Sequence, residues 1–138
     1  MSENIVSEAP GAVHELPVTI VRSSTRPVKE VWNVLMTPEG SAALLGPSAV
    51  IGSKGQGWRS DEGRSGVIRS FHPLEKIRFS IRSNDESPWC MAELEFVPAE
   101  DGSDLSITFT GLPADKDLDD FTTRWGSYLD RVLAIAEA

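Results

Sequence analysis

The stretch from Leu118 to Ala136, LDDFTTRWGSYLDRVLAIA, limits the folds open to this chain more than any other segment. Leu118, Phe121, Trp125, Leu129, Val132 and Ala136 recur at steps of three and four, the spacing of one helical face. Leu133 widens that face and Tyr128 flanks it, while Asp119, Asp120, Arg124, Asp130 and Arg131 fall mostly elsewhere. Asp117, Asp119 and Asp120 suit the start of a helix, where unpaired N–H groups favour negative charge. The spacing therefore predicts a long amphipathic helix with Trp and Phe on its buried side. Such a helix needs a large apolar surface to cover it.

Upstream, the pattern changes period. The segment from Leu16 to Ser23 alternates, with Leu16, Val18 and Ile20 on one face and Thr19 and Ser23 on the other, as in a half-buried strand. Pro27 opens a short helix whose stripe is Val28, Val31, Trp32 and Leu35, and Pro38 starts a second through Ala42, Ala43, Leu44 and Leu45. From Ser48 to Pro113 only strands and turns are predicted. These are Ala49–Ile51, Gln56–Ser60, Ser65–Phe71, Lys76–Arg82, Trp89–Val97 and a last strand holding Leu105, Ile107 and Phe109. Asp61-Glu62-Gly63 and Asp101-Gly102 read as tight turns. Short Gly-rich links between consecutive strands make an antiparallel meander with one apolar face. The expected fold class is α+β: an antiparallel sheet of about seven strands wrapped on the long C-terminal helix, with two short helices after the first strand.

At 138 residues the chain suits a single domain. Residues 1–15, mixed in Ser, Glu, Ala, Pro and Gly, are expected to be a flexible arm, and residues 16–138 the folded domain. The 21 acids outnumber the 13 bases, leaving a formal charge of −8. That balance repels a phosphate backbone, so nucleic acid is not an expected partner. No apolar run reaches the roughly 20 residues of a membrane span, and no signal-peptide pattern opens the chain. With a single cysteine, Cys90, no intramolecular disulfide can form, and a cytoplasmic location is expected.

Chemistry-bearing motifs are few. His14 lies in the expected arm, and His72, beside Pro73, has no recognisable nucleophile or orienting acid nearby. No His, Cys or carboxylate set has metal-ligand spacing. Gly52, Gly55 and Gly57 lack the Lys and Ser/Thr of a phosphate-binding loop and read as turn residues. Cys90 alternates inward, where a free cysteine acts as a small hydrophobe. Trp58, Trp89, Trp125, Phe71, Phe79 and Tyr128 serve either as core or as aromatic cavity walls. Arg69 and Arg82 stand where a side chain reaches either a pocket mouth or solvent. No catalytic residue, metal or cofactor is assigned.

Several short motifs occur in a familiar order. They are Arg26-Pro27-Val28-Lys29-Glu30-Val31-Trp32, Pro38-Glu39-Gly40, Leu45-Gly46-Pro47, Gly66-Val67-Ile68 and Pro73-Leu74-Glu75-Lys76-Ile77. Leu105-Ser106-Ile107-Thr108, Thr110-Gly111-Leu112-Pro113 and Arg124-Trp125-Gly126-Ser127-Tyr128-Leu129 follow. From about Leu16 onward the chain resembles the helix-grip fold of the START/SRPBCC superfamily, relatives of the birch-pollen allergen. Within it, the chain is similar to the family named for the activator of the heat-shock-protein-90 ATPase. Where that family commonly has Trp before Leu-Gly-Pro, this chain has Leu44, which exchanges an aromatic cavity wall for an aliphatic one. The resemblance implies an apolar cavity between sheet and long helix. Its expected lining is Trp32, Leu44, Trp58, Ile68, Phe71, Phe79, Ile81, Cys90, Phe121, Trp125 and Leu129. It implies a non-enzymatic protein binding a small hydrophobic molecule. Alternatives are a chaperone-directed interaction module, tied to the stress response by the family's name, and a cyclase- or dehydratase-type enzyme.

Overall fold

The computed structural model of the chain describes residues 13–138. Strand β1 (Val18–Ser24) is followed by helices α1 (Val28–Leu35) and α2 (Pro38–Leu45). Strands β2 (Gly57–Arg59), β3 (Ser65–His72), β4 (Lys76–Arg82), β5 (Cys90–Ala99) and β6 (Gly102–Thr110) come next, and helix α3 (Leu118–Glu137) ends the chain. The strands form one antiparallel sheet in the order β1-β6-β5-β4-β3-β2. The sheet is open: β1 extends the β2–β6 meander by pairing with its last strand, which leaves β1 and β2 at the edges.

Two expected strands change. The first begins at Val18 rather than Leu16, because Pro17 has no N–H for the ladder; Leu16 is 79% exposed. Ala49–Ile51 is not a strand, so the sheet has six strands rather than seven. Its alternation reflects burial without sheet pairing: Ala49 and Ile51 are buried, and the Ile51 N–H donates to Ser41 Oγ at 3.1 Å. Of the expected flexible arm, residues 1–12 lie outside the described residues. Val13 bridges to Pro113, and the His14 N–H donates to the Leu112 carbonyl at 2.8 Å. A bulge in β3 sets Arg69 out of register, and its side chain is exposed.

One sheet face carries the core. Ile77 and Phe79 of β4 lie opposite Leu94 and Ala92 of β5, and Ala92, Leu94 and Phe96 lie opposite Phe109, Ile107 and Leu105 of β6; all of these and Ile81 are buried. The helices cover this face together. Thr37 caps α2 by accepting the Gly40 N–H at 3.0 Å, and Gly40 has no room for a Cβ against the Val34 carbonyl. Asp117 caps α3 by accepting the Asp120 N–H at 3.1 Å. From α3, Trp125, Leu129, Val132, Leu133 and Ala136 are buried. At the far end of α3, Glu137 accepts from Ser24 Oγ at 2.9 Å and ties the helix to the end of β1.

Candidate functional site

Two aromatic clusters sit at opposite ends of the covered face, and only one of them is closed. At the closed end, Trp32 of α1 packs edge-on against Phe71 and Phe96, at 5.3 and 5.1 Å between ring centres. At the other end Phe109 meets Phe121 at 4.7 Å and Trp125 at 4.9 Å, and Trp125 meets Tyr128 at 5.0 Å. Here the first two turns of α3 do not fill the space above Ile81 and Phe109. A partly open cavity of about 420 Å³ remains, within the roughly 300–1,000 Å³ of small-molecule sites.

The cavity floor and apolar wall are Ile81, Cys90, Phe109, Leu112, Phe121 and Trp125. Two loops frame it. The β4–β5 loop, contributing Ser83, Glu86, Ser87 and Pro88, is held by Asn84, whose side-chain oxygen accepts from the Glu86 N–H at 2.8 Å and Ser87 Oγ at 3.0 Å. The β6–α3 link contributes Pro113, Asp115, Lys116 and Asp117; Gly111 permits its departure from the sheet with φ of 77°. Arg64, from the β2–β3 turn, closes the far side. Its guanidinium lies 4.6 Å over the Tyr128 ring and 5.8 Å from Trp125, and Nη2 pairs with Glu62 at 2.9 Å.

Four of the eleven residues expected to line a cavity meet at this one: Ile81, Cys90, Phe121 and Trp125. Trp32 and Phe71 belong to the closed cluster, Trp58 packs edge-on against Phe79 at 6.0 Å, and Ile68, Leu44 and Leu129 are fully buried in the core. Leu44 does not line the cavity, so its exchange for the family's Trp does not widen it. The expected lining left out Phe109, Leu112, Arg64 and Lys116. Only the strand alternation marked Phe109 as inward, while the other three lie in turns whose direction no periodicity reports.

Electrostatics are uneven across the site. Burial pushes the Cys90 thiol up to about 11, opposed by the nearby Lys116 charge, so the group is almost wholly protonated near neutrality. Arg82 adjoins the cavity, but its guanidinium stacks 4.2 Å over the exposed Trp89 ring and is held by Asp85. Asp85 in turn accepts from Arg59 at 2.8 Å, and that hydrogen bond and charge hold its carboxyl below the usual range. His72 is exposed at the end of β3 and takes no part. Among the described residues, no three metal-ligating side chains converge, and no helix is long and apolar enough to cross a membrane.

The profile of the Activator of Hsp90 ATPase homolog 1-like protein family matches residues 25–137. No curated protein sequence matches significantly. Solved structures of similar fold include protein CV1439 from Chromobacterium violaceum, with a TM-score of 0.73 and 19% identity over 88% of this chain and 97% of that one. DynU16, from the dynemicin biosynthetic locus, has a TM-score of 0.76 and 19% identity, over 88% of this chain but 47% of its own. The Aha1 dimer from Colwellia psychrerythraea has a TM-score of 0.71 and 14% identity, over 89% of this chain and 95% of that one. At these identities the likeness concerns the fold.

Proposed function

The chain belongs to the Activator of Hsp90 ATPase homolog 1-like family and has the helix-grip fold of the START/SRPBCC superfamily, and from that premise we propose that it is a non-enzymatic binding protein for a small hydrophobic molecule. The observation that carries this is the cavity at the open end of the grip. Its apolar wall is Ile81, Cys90, Phe109, Leu112, Phe121 and Trp125, and water against that wall has few partners. A ligand with a flat ring system displaces that water and gains contact with Trp125 and Phe121 at little ordering cost to the protein, since both rings are already packed. Burial of the ligand's apolar faces, at about 25 cal/mol per Å², supplies the driving force.

Catalysis has less support. Acid–base chemistry needs a poised pair, and the one perturbed group in the cavity is a thiol held protonated. Fluorescence titration with N-phenyl-1-naphthylamine tests the site directly. Saturable binding at one probe per chain, with quenching of Trp125, is the expected result; no saturable binding contradicts a ligand site here.

A second function, interaction with a chaperone ATPase, draws support from the family's description and from the likeness to the Aha1 dimer. Its measure is the chaperone's ATPase rate with and without this protein, and an unchanged rate removes it.

A further inference from the structure

The charges around the cavity are sorted by depth. The acids of its lining, Glu86, Asp115 and Asp117, are all exposed, and Asp117 is already engaged as the α3 cap. The cations are not equivalent to them. Lys116 is half-buried, its Nζ 5.7 Å from the Phe121 ring and close enough to Cys90 for its charge to act on the thiol. Arg64 has a side chain only 14% exposed. A smaller pocket of about 190 Å³ lies next to the cavity and shares Arg64, Lys116, Phe121 and Trp125 with it. Both cations therefore stand at the throat between the two spaces, against aromatic rings.

Of the three cations bordering the cavity, two have local acid partners: Arg82 is held by Asp85, and Arg64 gives Nη2 to Glu62. Lys116 has no carboxylate within ion-pair distance among the described residues, and its ammonium rests on an aromatic ring instead. Charges on the exposed rim are screened by water and salt, whereas a half-buried ammonium acts on a ligand through less solvent. An ammonium in that position favours an anionic group lying beside a ring.

We propose that the ligand of this cavity is an amphipathic anion, a flat apolar body bearing one acidic group, with the acidic group docked on Lys116 at the throat and Arg64 facing it. This rests on the cavity being a ligand site. The body lies on Ile81, Phe109 and Trp125, and the acid replaces solvent as the hydrogen-bonding partner of the ammonium.

Two probes sharing one skeleton separate this inference from its premise. The anion 1-anilinonaphthalene-8-sulfonate and the neutral N-phenyl-1-naphthylamine are titrated into the wild-type chain, Lys116→Met, Lys116→Arg and a control, Lys54→Met. In Lys116→Met the affinity for the sulfonate relative to the neutral amine is expected to fall about tenfold, with the neutral amine bound as before. Lys116→Arg and Lys54→Met are expected to keep the wild-type ratio, and thermal melts confirm that all four chains are folded. A ratio unchanged in Lys116→Met overturns the proposal while leaving the cavity a ligand site. Failure of the wild-type chain to bind either probe removes the ligand site, and this proposal with it.

Discussion

The guanidinium of Arg22 crosses α3 directly over Gly126, where a Cβ would collide with its terminal nitrogen, and Arg22 Nε donates to Asp130 Oδ1 at 3.0 Å. Arg22 stands at an inward-facing position of the edge strand β1, next in that row to Ile20. A charge there is tolerated because the missing side chain at Gly126 opens a path across the helix to Asp130.

Gly126→Ala sets two small effects against each other. Alanine in a helix interior gains about 0.8–1 kcal/mol over glycine, while displacing Arg22 loses an exposed ion pair worth up to about 1 kcal/mol. In dilute buffer the two nearly cancel. In roughly 1 M salt, where the pair is screened, the variant is expected to be more stable than wild type by about 0.5–1 kcal/mol. Denaturant melts at the two salt concentrations measure this. A loss above about 1 kcal/mol at both would mean that the helix backbone moves, not the arginine.

Leu44→Trp is expected to destabilise the fold without altering the cavity. Leu44 is fully buried against the core, so a larger ring there overpacks and costs about 1–3 kcal/mol or more. Affinity for N-phenyl-1-naphthylamine in the folded variant should match wild type. Weakened probe binding with unchanged stability would place Leu44 in the binding wall after all.

Cys90 should report both pH and occupancy. With its thiol held up to about 11 by burial, about one molecule in a thousand carries the thiolate at pH 8, so disulfide reagents react slowly and faster with each unit of pH. Bound naphthylamine should slow the reaction further, because Cys90 lines the cavity. The linkage to stability has a definite sign. The folded state holds the proton more tightly than the unfolded chain, so this contribution is intact below the unfolded value near 9. It is lost as pH rises from about 9 through 11. Cys90→Ala should flatten that alkaline part of the stability profile; an equal decline in the variant would assign it to other groups.

Much of this architecture was legible in the residues because period and breaker chemistry are local properties. The α3 face from Leu118 to Ala136, the inward set Ile77, Phe79 and Ile81, and the Pro38 start of α2 all follow from spacing. Ala49 to Ile51 shows the limit of that method. Alternating burial arises equally from a strand and from an irregular segment pinned by Ser41, and only a pairing partner distinguishes them. The cavity was less legible for a related reason. Whether an inward aromatic is core or wall depends on what stands opposite. Trp32 finds Phe71 and Phe96, whereas Trp125 has Phe109 and Tyr128 on some sides and open space on another. Lys116 and Arg64 come from turns, where direction is set by tertiary contacts rather than by any repeat.

Trp125 is the residue at which stability and binding meet. It is 4% exposed, tilted against Phe109 and edge-on to Tyr128, yet it also forms part of the cavity wall. A Trp enclosed on all sides costs about 3–5 kcal/mol when cut to Ala, because the void left behind collapses only partly. Here part of the ring already borders a void, so fewer contacts are lost and the expected cost lies near the lower end, about 3 kcal/mol. Against a total of roughly 5–15 kcal/mol the variant should still fold. It should also lose most of its affinity for N-phenyl-1-naphthylamine, whose ring would lie on the indole. Trp125→Phe should recover much of the stability and part of the binding. Denaturant melts with and without the probe measure both quantities in one series. A loss of 5 kcal/mol with binding intact would make Trp125 core alone. Intact stability with intact binding would mean that α3 is not gripped at this end.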